Sequence, residues 1–360
     1  MTRKILHLDL DAFFCAVEEL KNPALVGKPF AVGGRPQERG VVASCSYAAR
    51  KFGVHSAMPM ARALRLCPGL IIIPSFHAEY TSYSVQMLGI VGEVSPVFEQ
   101  VSIDEAFVDV TEIPPPAHQT AERLQQRINQ ELHLPCSIGV AENKLVAKIA
   151  NDVGKAAARG DHPPNTITVV TPGQAAVFLA PLPVERLWGV GPKTAERLHE
   201  LNVTTIGELA QVPVKDLIRL FGKNGQLLAL HAQGVDDSPV ITTREMKSIS
   251  QEVTFARDVR DYRQIAATLR DQSIQIGERL RELGLYGKTV KIKVRWPNFT
   301  TLTRQLTLTL PTDQDEEIYQ SALKLFSRVW QEGKAVRLIG VGVSDLQDSV
   351  RQMSLWEIER

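Results

Sequence analysis

Apolar and polar positions change period several times along the chain, and each change marks an element. Residues 3–10 carry Ile5, Leu6, Leu8 and Leu10 and predict a buried strand. A helix is expected from Phe13 to Leu20. Residues 21–76 are short-period and rich in glycine and proline. A helical pattern over 77–94 leads into a hairpin, with strands at 97–101 and 106–110 around a turn at Ile103–Glu105. Pro114, Pro115 and Pro116 then interrupt the chain. A helix over 119–132, a strand over 135–140 and a helix over 143–153 complete an α+β unit. A smaller segment is inserted after its first strand.

From 166 to 233 the pattern is mostly helical. Thr171-Pro172 suits an N-cap and first-turn proline, and glycine turns stand at Gly189-Val190-Gly191 and between Phe221 and Gly225. Gly234, Asp236, Asp237 and Pro239 read as a linker. Beyond it the pattern predicts a strand over 247–255, a helix over 262–283, strands over 288–296 and 301–310, a helix over 314–332 and a strand over 337–345. That order, βαββαβ, is the ferredoxin-like one. The tail after Leu346 is polar but ends with Leu355 and Trp356.

A chain of 360 residues is too long for one ordinary core, and two to four domains are expected. Net charge is only +1, so a nucleic-acid partner would need a local basic surface. There is one. From Leu283 to Thr312 no acidic residue occurs, while Lys288, Lys291, Lys293, Arg295 and Arg304 do. Val290, Ile292, Val294 and Trp296 alternate with Lys291, Lys293 and Arg295, so the cations form a row spaced by about 6.6 Å. Such a row can follow a sugar-phosphate backbone without reading sequence. An edge strand protected by lysines has the same pattern. The four cysteines are scattered, with no zinc spacing, which points to a reducing compartment. No signal peptide or membrane-spanning run is apparent, and a cytoplasmic protein with no membrane association is expected.

Two acidic strings carry the candidate chemistry. Asp9 and Asp11 end the first strand, where residues two apart share a face, although Asp11 also reads as the N-cap of the following helix. Asp104 and Glu105 sit at the hairpin tip, where adjacent carboxylates repel unless a cation neutralises them. Spacing alone does not separate a cation site from a solvated acidic turn.

Four strings decide between them. Asp9-Leu10-Asp11-Ala12-Phe13-Phe14, Ser46-Tyr47-Ala48-Ala49-Arg50-Lys51-Phe52-Gly53, Ser102-Ile103-Asp104-Glu105-Ala106-Phe107 and Asn143 to Ala150 occur in order. Together they resemble the Y-family polymerases in their DNA polymerase IV branch. The resemblance runs from residue 3 to 345. It implies a right-handed α+β multidomain polymerase with a ferredoxin-like palm (1–11 and 77–165), small fingers (12–76) and a helical thumb with a helix-hairpin-helix (166–233). A linker (234–242), a βαββαβ little finger (243–345) and a tail (346–360) complete it.

The activity implied is low-fidelity, template-directed addition of dNTPs to a primer 3′ end, with translesion synthesis. Its cofactor is a pair of Mg²⁺ ions, and its partners are primer-template DNA and dNTP. Asp9, Asp104 and Glu105 then fall at the metal ligands, with the Leu10 carbonyl beside them. Ser44, Tyr47, Arg50 and Lys155 fall at the triphosphate, together with the backbone N–H groups of Phe13 and Phe14. Phe14 falls at the steric gate, which excludes a 2′-hydroxyl. After Lys155 the run Ala156 to Pro164 departs from the family's Pro-Asn-Gly.

Gly189, Gly191 and Lys193 resemble a phosphate-binding hairpin. The alternative is a plain turn between helices. Gln352, Leu355 and Trp356 resemble the peptide with which bacterial polymerases hold a β-type sliding clamp. No exonuclease segment is recognisable, so no proofreading is expected, and a monomer is expected. Two other classes compete. A nucleotidyl cyclase would share the two-metal palm but needs no hairpin thumb or basic row. A DNA-bound scaffold would need none of the carboxylates.

Overall fold

The computed structural model describes residues 2–348 apart from 115, 159 and 161. The tail peptide with Gln352, Leu355 and Trp356 therefore lies outside the described residues. The chain divides into two compact units, one of residues 1–35 and 41–243 and one of 36–40 and 244–360.

In the first unit, strand β1 (Ile5–Leu10) runs almost directly into helix α1 (Phe13–Lys21). Strands β2 (Phe30–Gly33), β3 (Val42–Cys45) and β4 (Ile71–Ile73) form a small sheet in the order β3-β2-β4. Helices α2 (Tyr47–Arg50) and α3 (Met60–Leu66) share its apolar cluster. Helix α4 (His77–Val94), strands β5 (Phe98–Gln100) and β6 (Glu105–Asp109) and helix α5 (Ala117–Arg127) follow. Strand β7 (Cys136–Ala141), helix α6 (Lys144–Ala157) and strand β8 (Ile167–Val169) complete a five-stranded sheet ordered β5-β6-β1-β7-β8. β8 pairs parallel to β7, so residues 167–169 extend this sheet although the sequence pattern placed them in the helical segment. α5 stops at Arg127 and widens into a π-helical turn over Ile128–Leu132.

Strand β1 is the centre of this sheet, and its alternation sorts the unit. Leu6, Leu8 and Leu10 join a core with Met87 and Val91 of α4 and Leu124 of α5. Each such buried side chain contributes about 1.5–3 kcal/mol. Residues 5, 7 and 9 take the opposite face. That face lies under α6, which packs closely: a Cβ at Gly139 of β7 would collide with the Ala147 carbonyl and the Asn151 amide. Leu145 and Ile149 of α6 continue into a second cluster with the helical segment α7 (Ala175–Leu179), α8 (Pro192–His199), α9 (Ile206–Gln211), α10 (Val214–Phe221) and α11 (Lys223–Ala232).

The second unit has the expected βαββαβ order: β9 (Ser248–Val259), α12 (Tyr262–Leu283), β10 (Tyr286–Arg295), β11 (Thr301–Thr312), α13 (Asp315–Ser327) and β12 (Val336–Gln347). Its sheet order is β11-β10-β12-β9, all pairs antiparallel. The second and fourth strands are therefore in the middle. Val290, Ile292 and Val294 pack with Ile276 and Leu280 of α12 and Ile318 and Phe326 of α13. The opposite sheet face carries the cation row. β10 is paired on both sides, which overturns the reading of that row as a protected edge. No described helix is long and apolar enough to cross a membrane.

Candidate active site and nucleic-acid interface

The two acidic strings meet because β1 and β6 are antiparallel neighbours, with Asp9 directly opposite Glu105. The Asp104 carbonyl accepts the Leu10 amide at 3.0 Å, which holds the hairpin tip to the end of β1. Ser102 shapes that tip: its Oγ donates to Asp104 Oδ1 at 2.5 Å and accepts the amide of Glu105 at 3.1 Å. Burial raises the Asp9 carboxyl above the usual carboxylate range, and Asp104 and Glu105 add to the rise, while the Lys155 ammonium opposes it. Asp104 is raised too, again mainly by burial.

Helix α6 answers these carboxylates along one face. Lys144, Lys148, Asn151 and Lys155 are spaced by four, three and four residues, so they line up on the side turned to the sheet. Lys144 Nζ donates to Glu99 Oε2 at 2.5 Å. Lys148 Nζ donates to Glu105 Oε2 at 3.0 Å. Asn151 Nδ2 donates to His7 Nδ1 at 3.0 Å and to the carbonyl of Ser137 at 3.0 Å. With Nδ1 accepting, the fully buried His7 carries its proton on Nε2, which lies 3.6 Å from Glu105 Oε2. Burial keeps His7 below its ordinary pKa, hence neutral. Glu105 is held down, to about 2, first by the neighbouring His7 Nε2–H and then by Lys148 against the cost of burial. Lys155 Nζ sits 2.5 Å from Asp9 Oδ1 and 3.2 Å from Asp11 Oδ1.

Asp11 is not a helix cap. The residue before α1 is Ala12, in the left-handed region at φ 48°, with no side-chain cap. Asp11 is instead fully buried, accepting Ser137 Oγ at 2.8 Å and the Asn165 amide at 2.9 Å as well as pairing with Lys155. It thus fastens both ends of the departing 156–164 stretch. Its role, like those of Lys148, Asn151 and His7, was missed in the sequence. The 144/148/151/155 spacing was the available signal.

On the neighbouring small sheet, Ser46 caps α2 by accepting the Ala49 amide at 3.2 Å, and α2 presents Tyr47 and Arg50 one turn apart. The Arg50 guanidinium lies 4.4 Å over the Tyr47 ring. Burial and then Asp11 raise the Tyr47 hydroxyl, so it stays protonated and remains a donor. Ser44 is buried on β3. Phe14 stacks on Tyr80 at 4.2 Å and 15°, and Tyr80 is fixed by its hydroxyl donating to Glu18 at 2.8 Å. The Phe13 side chain is 2% exposed and belongs to the core, so only its backbone can face a ligand.

Among the described residues no three His, Cys, Asp or Glu side chains already form a metal cage. The donor set nevertheless suits a hard divalent cation. It consists of carboxylate oxygens that burial penalises, with an ammonium resting on Asp9 as a stand-in for positive charge. In the helical segment Gly189 takes φ 96° and Gly191 caps α8, leaving Lys193 exposed in its first turn. In the second unit Lys291 is exposed, while Lys293 and Arg295 are half-buried.

Comparison with known proteins extends over the whole architecture. The impB/mucB/samB family matches residues 8–152, its C-terminal domain matches 246–355, and the IMS family HHH motif matches 172–203. DNA polymerase IV of Listeria monocytogenes serotype 4b is 42% identical over 349 residues, covering 96% of each chain. DNA polymerase IV of Streptococcus mutans serotype c is 41% identical over 357 residues, covering 98% of this chain and 94% of that one. Among solved structures, a Y-family DNA polymerase chimera is similar with a TM-score of 0.85 at 26% identity, over 96% of this chain and 100% of that one. The insertion ternary complex of Dbh DNA polymerase is similar with a TM-score of 0.66 at 26% identity, over 95% and 98%.

Proposed function

The chain belongs to the impB/mucB/samB family, the Y-family polymerases of the DNA polymerase IV type, and on that premise we propose how its residues divide the work. It is a DNA-directed DNA polymerase, a nucleotidyltransferase performing template-directed translesion synthesis with a divalent metal, and DNA and dNTP are its partners. Asp9, Asp104, Glu105 and the Leu10 carbonyl would hold two Mg²⁺ ions. When bound, these ions lower the pKa of the primer 3′-hydroxyl and offset charge on the leaving pyrophosphate.

Tyr47 and Arg50 grip the triphosphate, Arg50 with a fork of donors and Tyr47 with its hydroxyl. The uncapped amides of Phe13 and Phe14 add donors at the start of α1. Lys155, held between Asp9 and Asp11, would stand within reach of the phosphates. Phe14, braced by Tyr80, packs under the sugar and leaves no room or partner for a 2′-hydroxyl. Residues 1–11 and 77–165, with 167–169 added to their sheet, act as palm. Residues 12–76 are fingers, the helical segment is the thumb, and the second unit is the little finger. Its cation row holds DNA by the backbone, with the Gly189–Lys193 hairpin as a second contact.

The enzyme copies with low fidelity and no proofreading, as a cytoplasmic monomer tethered to a sliding clamp through Gln352, Leu355 and Trp356. The observation that carries this reading is Lys155, an ammonium resting on half-buried Asp9 beside Asp104, where the clustered carboxylates favour positive charge and a phosphate-binding group stands ready. Primer extension with each dNTP, on intact and lesion-bearing templates, tests it. Extension should follow the template, need divalent metal, and pass the lesion. Nucleotide addition that ignores the template, or survives chelation, would contradict the reading.

A further inference from the structure

The open face of the four-stranded sheet is not flat. A groove of about 230 Å³ runs along β12 between β10 and β9. Its floor is made by Gly340 and Gly342, which sit opposite Lys293 and Lys291 on one side and opposite Glu252 and Ser250 on the other. Glycine weakens an interior strand, and two at alternate positions of one face mark a place where another backbone comes close. A Cβ at Gly340 would stand 2.9 Å from the Glu252 Cβ, and one at Gly342 would stand 3.1 Å from that of Ser250. The glycines thus keep the floor low and let β9 side chains lean over it. One wall is cationic. The other is hydroxyl-bearing, with Ser248 and Ser250, except for one carboxylate.

That carboxylate is Glu252, half exposed, and its Oε2 accepts Lys293 Nζ at 2.6 Å. The three cations of the row are therefore unequal. Lys293 is held by Glu252. Arg295 donates its Nε to the uncharged Thr301 Oγ1 at 2.9 Å. The Lys291 side chain makes no hydrogen bond or ion pair among the described residues. Glu252 is the one acid lining a groove whose other charged side chains are the two lysines. Against a phosphate strand the acid has a definite effect. It repels the strand, and it occupies one of the charges that would release counterions.

We propose that the glycine-floored groove seats one sugar-phosphate strand and that Glu252 is a built-in counter-charge, holding Lys293 back so that the sheet grips DNA weakly enough to let it go. This rests on the reading of the cation row as a DNA contact and adds the residue that sets its strength. The Glu252 carboxylate is half exposed, so the pair adds little to folding, and giving it up for a phosphate contact costs only a few-fold in affinity, the scale of the restraint proposed. A translesion enzyme that must leave after a short patch is served by such a limit.

The test is the salt dependence of primer-template binding by the full chain, read by fluorescence anisotropy without nucleotide. Glu252→Gln keeps the side chain's size and should tighten binding by about three- to fivefold near 0.1 M salt. It should also steepen the slope of log K against log salt by about one, as Lys293 becomes a full phosphate contact. Lys291→Gln should weaken binding and flatten the slope by about one. If Lys291→Gln changes nothing, the row does not hold DNA and the underlying reading fails. If Lys291→Gln weakens binding but Glu252→Gln leaves affinity and slope unchanged, the row holds DNA and the counter-charge proposal is overturned.

Discussion

On the five-stranded sheet the acidic side chains facing α6 have donors already in place: Glu99 has Lys144, Glu105 has Lys148 and His7, and Asp9 and Asp11 share Lys155. On the four-stranded sheet the Lys291 side chain has no partner among the described residues and Lys293 has one exposed acid. The first arrangement is largely enclosed, negative and over-determined by one helix. The second is open, positive and loosely held. The difference fits the roles proposed for each. Phosphoryl transfer depends on placing a few charges to within a fraction of an ångström in a site from which water is largely excluded. Holding a moving duplex depends on many contacts that can break one at a time. A change on the first surface should therefore act steeply, and one on the second should act by degrees.

The steepest effect is expected from Asp104→Asn, which removes a carboxylate next to Asp9 without changing its size. Primer extension should be lost while affinity for primer-template stays within about twofold, because DNA is held elsewhere. Substantial extension by this variant would mean the hairpin tip is only a turn. Lys148→Met comes next. It leaves Glu105 with only His7, and loss of such a supporting partner lowers metal affinity or activity by about 10- to 100-fold. Lys148→Arg should restore part of it, whereas a purely structural role for Lys148 would show as a lower melting temperature with metal affinity intact. Phe14→Ala should keep dNTP incorporation and raise use of rNTPs by at least about tenfold. Unchanged discrimination would make Phe14 a core residue braced by Tyr80 and nothing more. The mildest case is the triple change of Lys291, Lys293 and Arg295 to Gln. It should flatten the salt slope of DNA binding by up to about three with little loss of sequence preference. An abrupt, salt-independent loss would show that the open sheet is as over-determined as the palm.

Much of the local structure was legible in the chain because local rules set it. The helices at His77–Val94 and Tyr262–Leu283 begin and end where the periodicity places them. The alternation of Val290, Ile292 and Val294 with cations gave the two faces of β10. What escaped was set by partners distant in sequence. β8 is three residues long and finds its place only by pairing with β7. Asp11 has a cap's position, yet the closeness of Ser137, Lys155 and Asn165, up to 154 residues away, makes it a buried anchor. Whether β10 was an edge depended on β12, about 50 residues downstream by its register pairs. The polar face of α6 was visible as spacing, but without its strand partners it reads as an ordinary solvated stripe.

The central claim is that Asp9 and Asp104 form a cation site which Lys155 fills until metal arrives. The most direct measurement is Mn²⁺ uptake followed by electron paramagnetic resonance, on protein bound to a non-extendable primer-template with the next dNTP. The wild-type chain should take up Mn²⁺ beyond what dNTP and DNA bind alone. The double variant Asp9→Asn, Asp104→Asn should not, although it binds the same DNA. Equal uptake by both proteins would contradict the claim and leave the carboxylates as structural partners of α6.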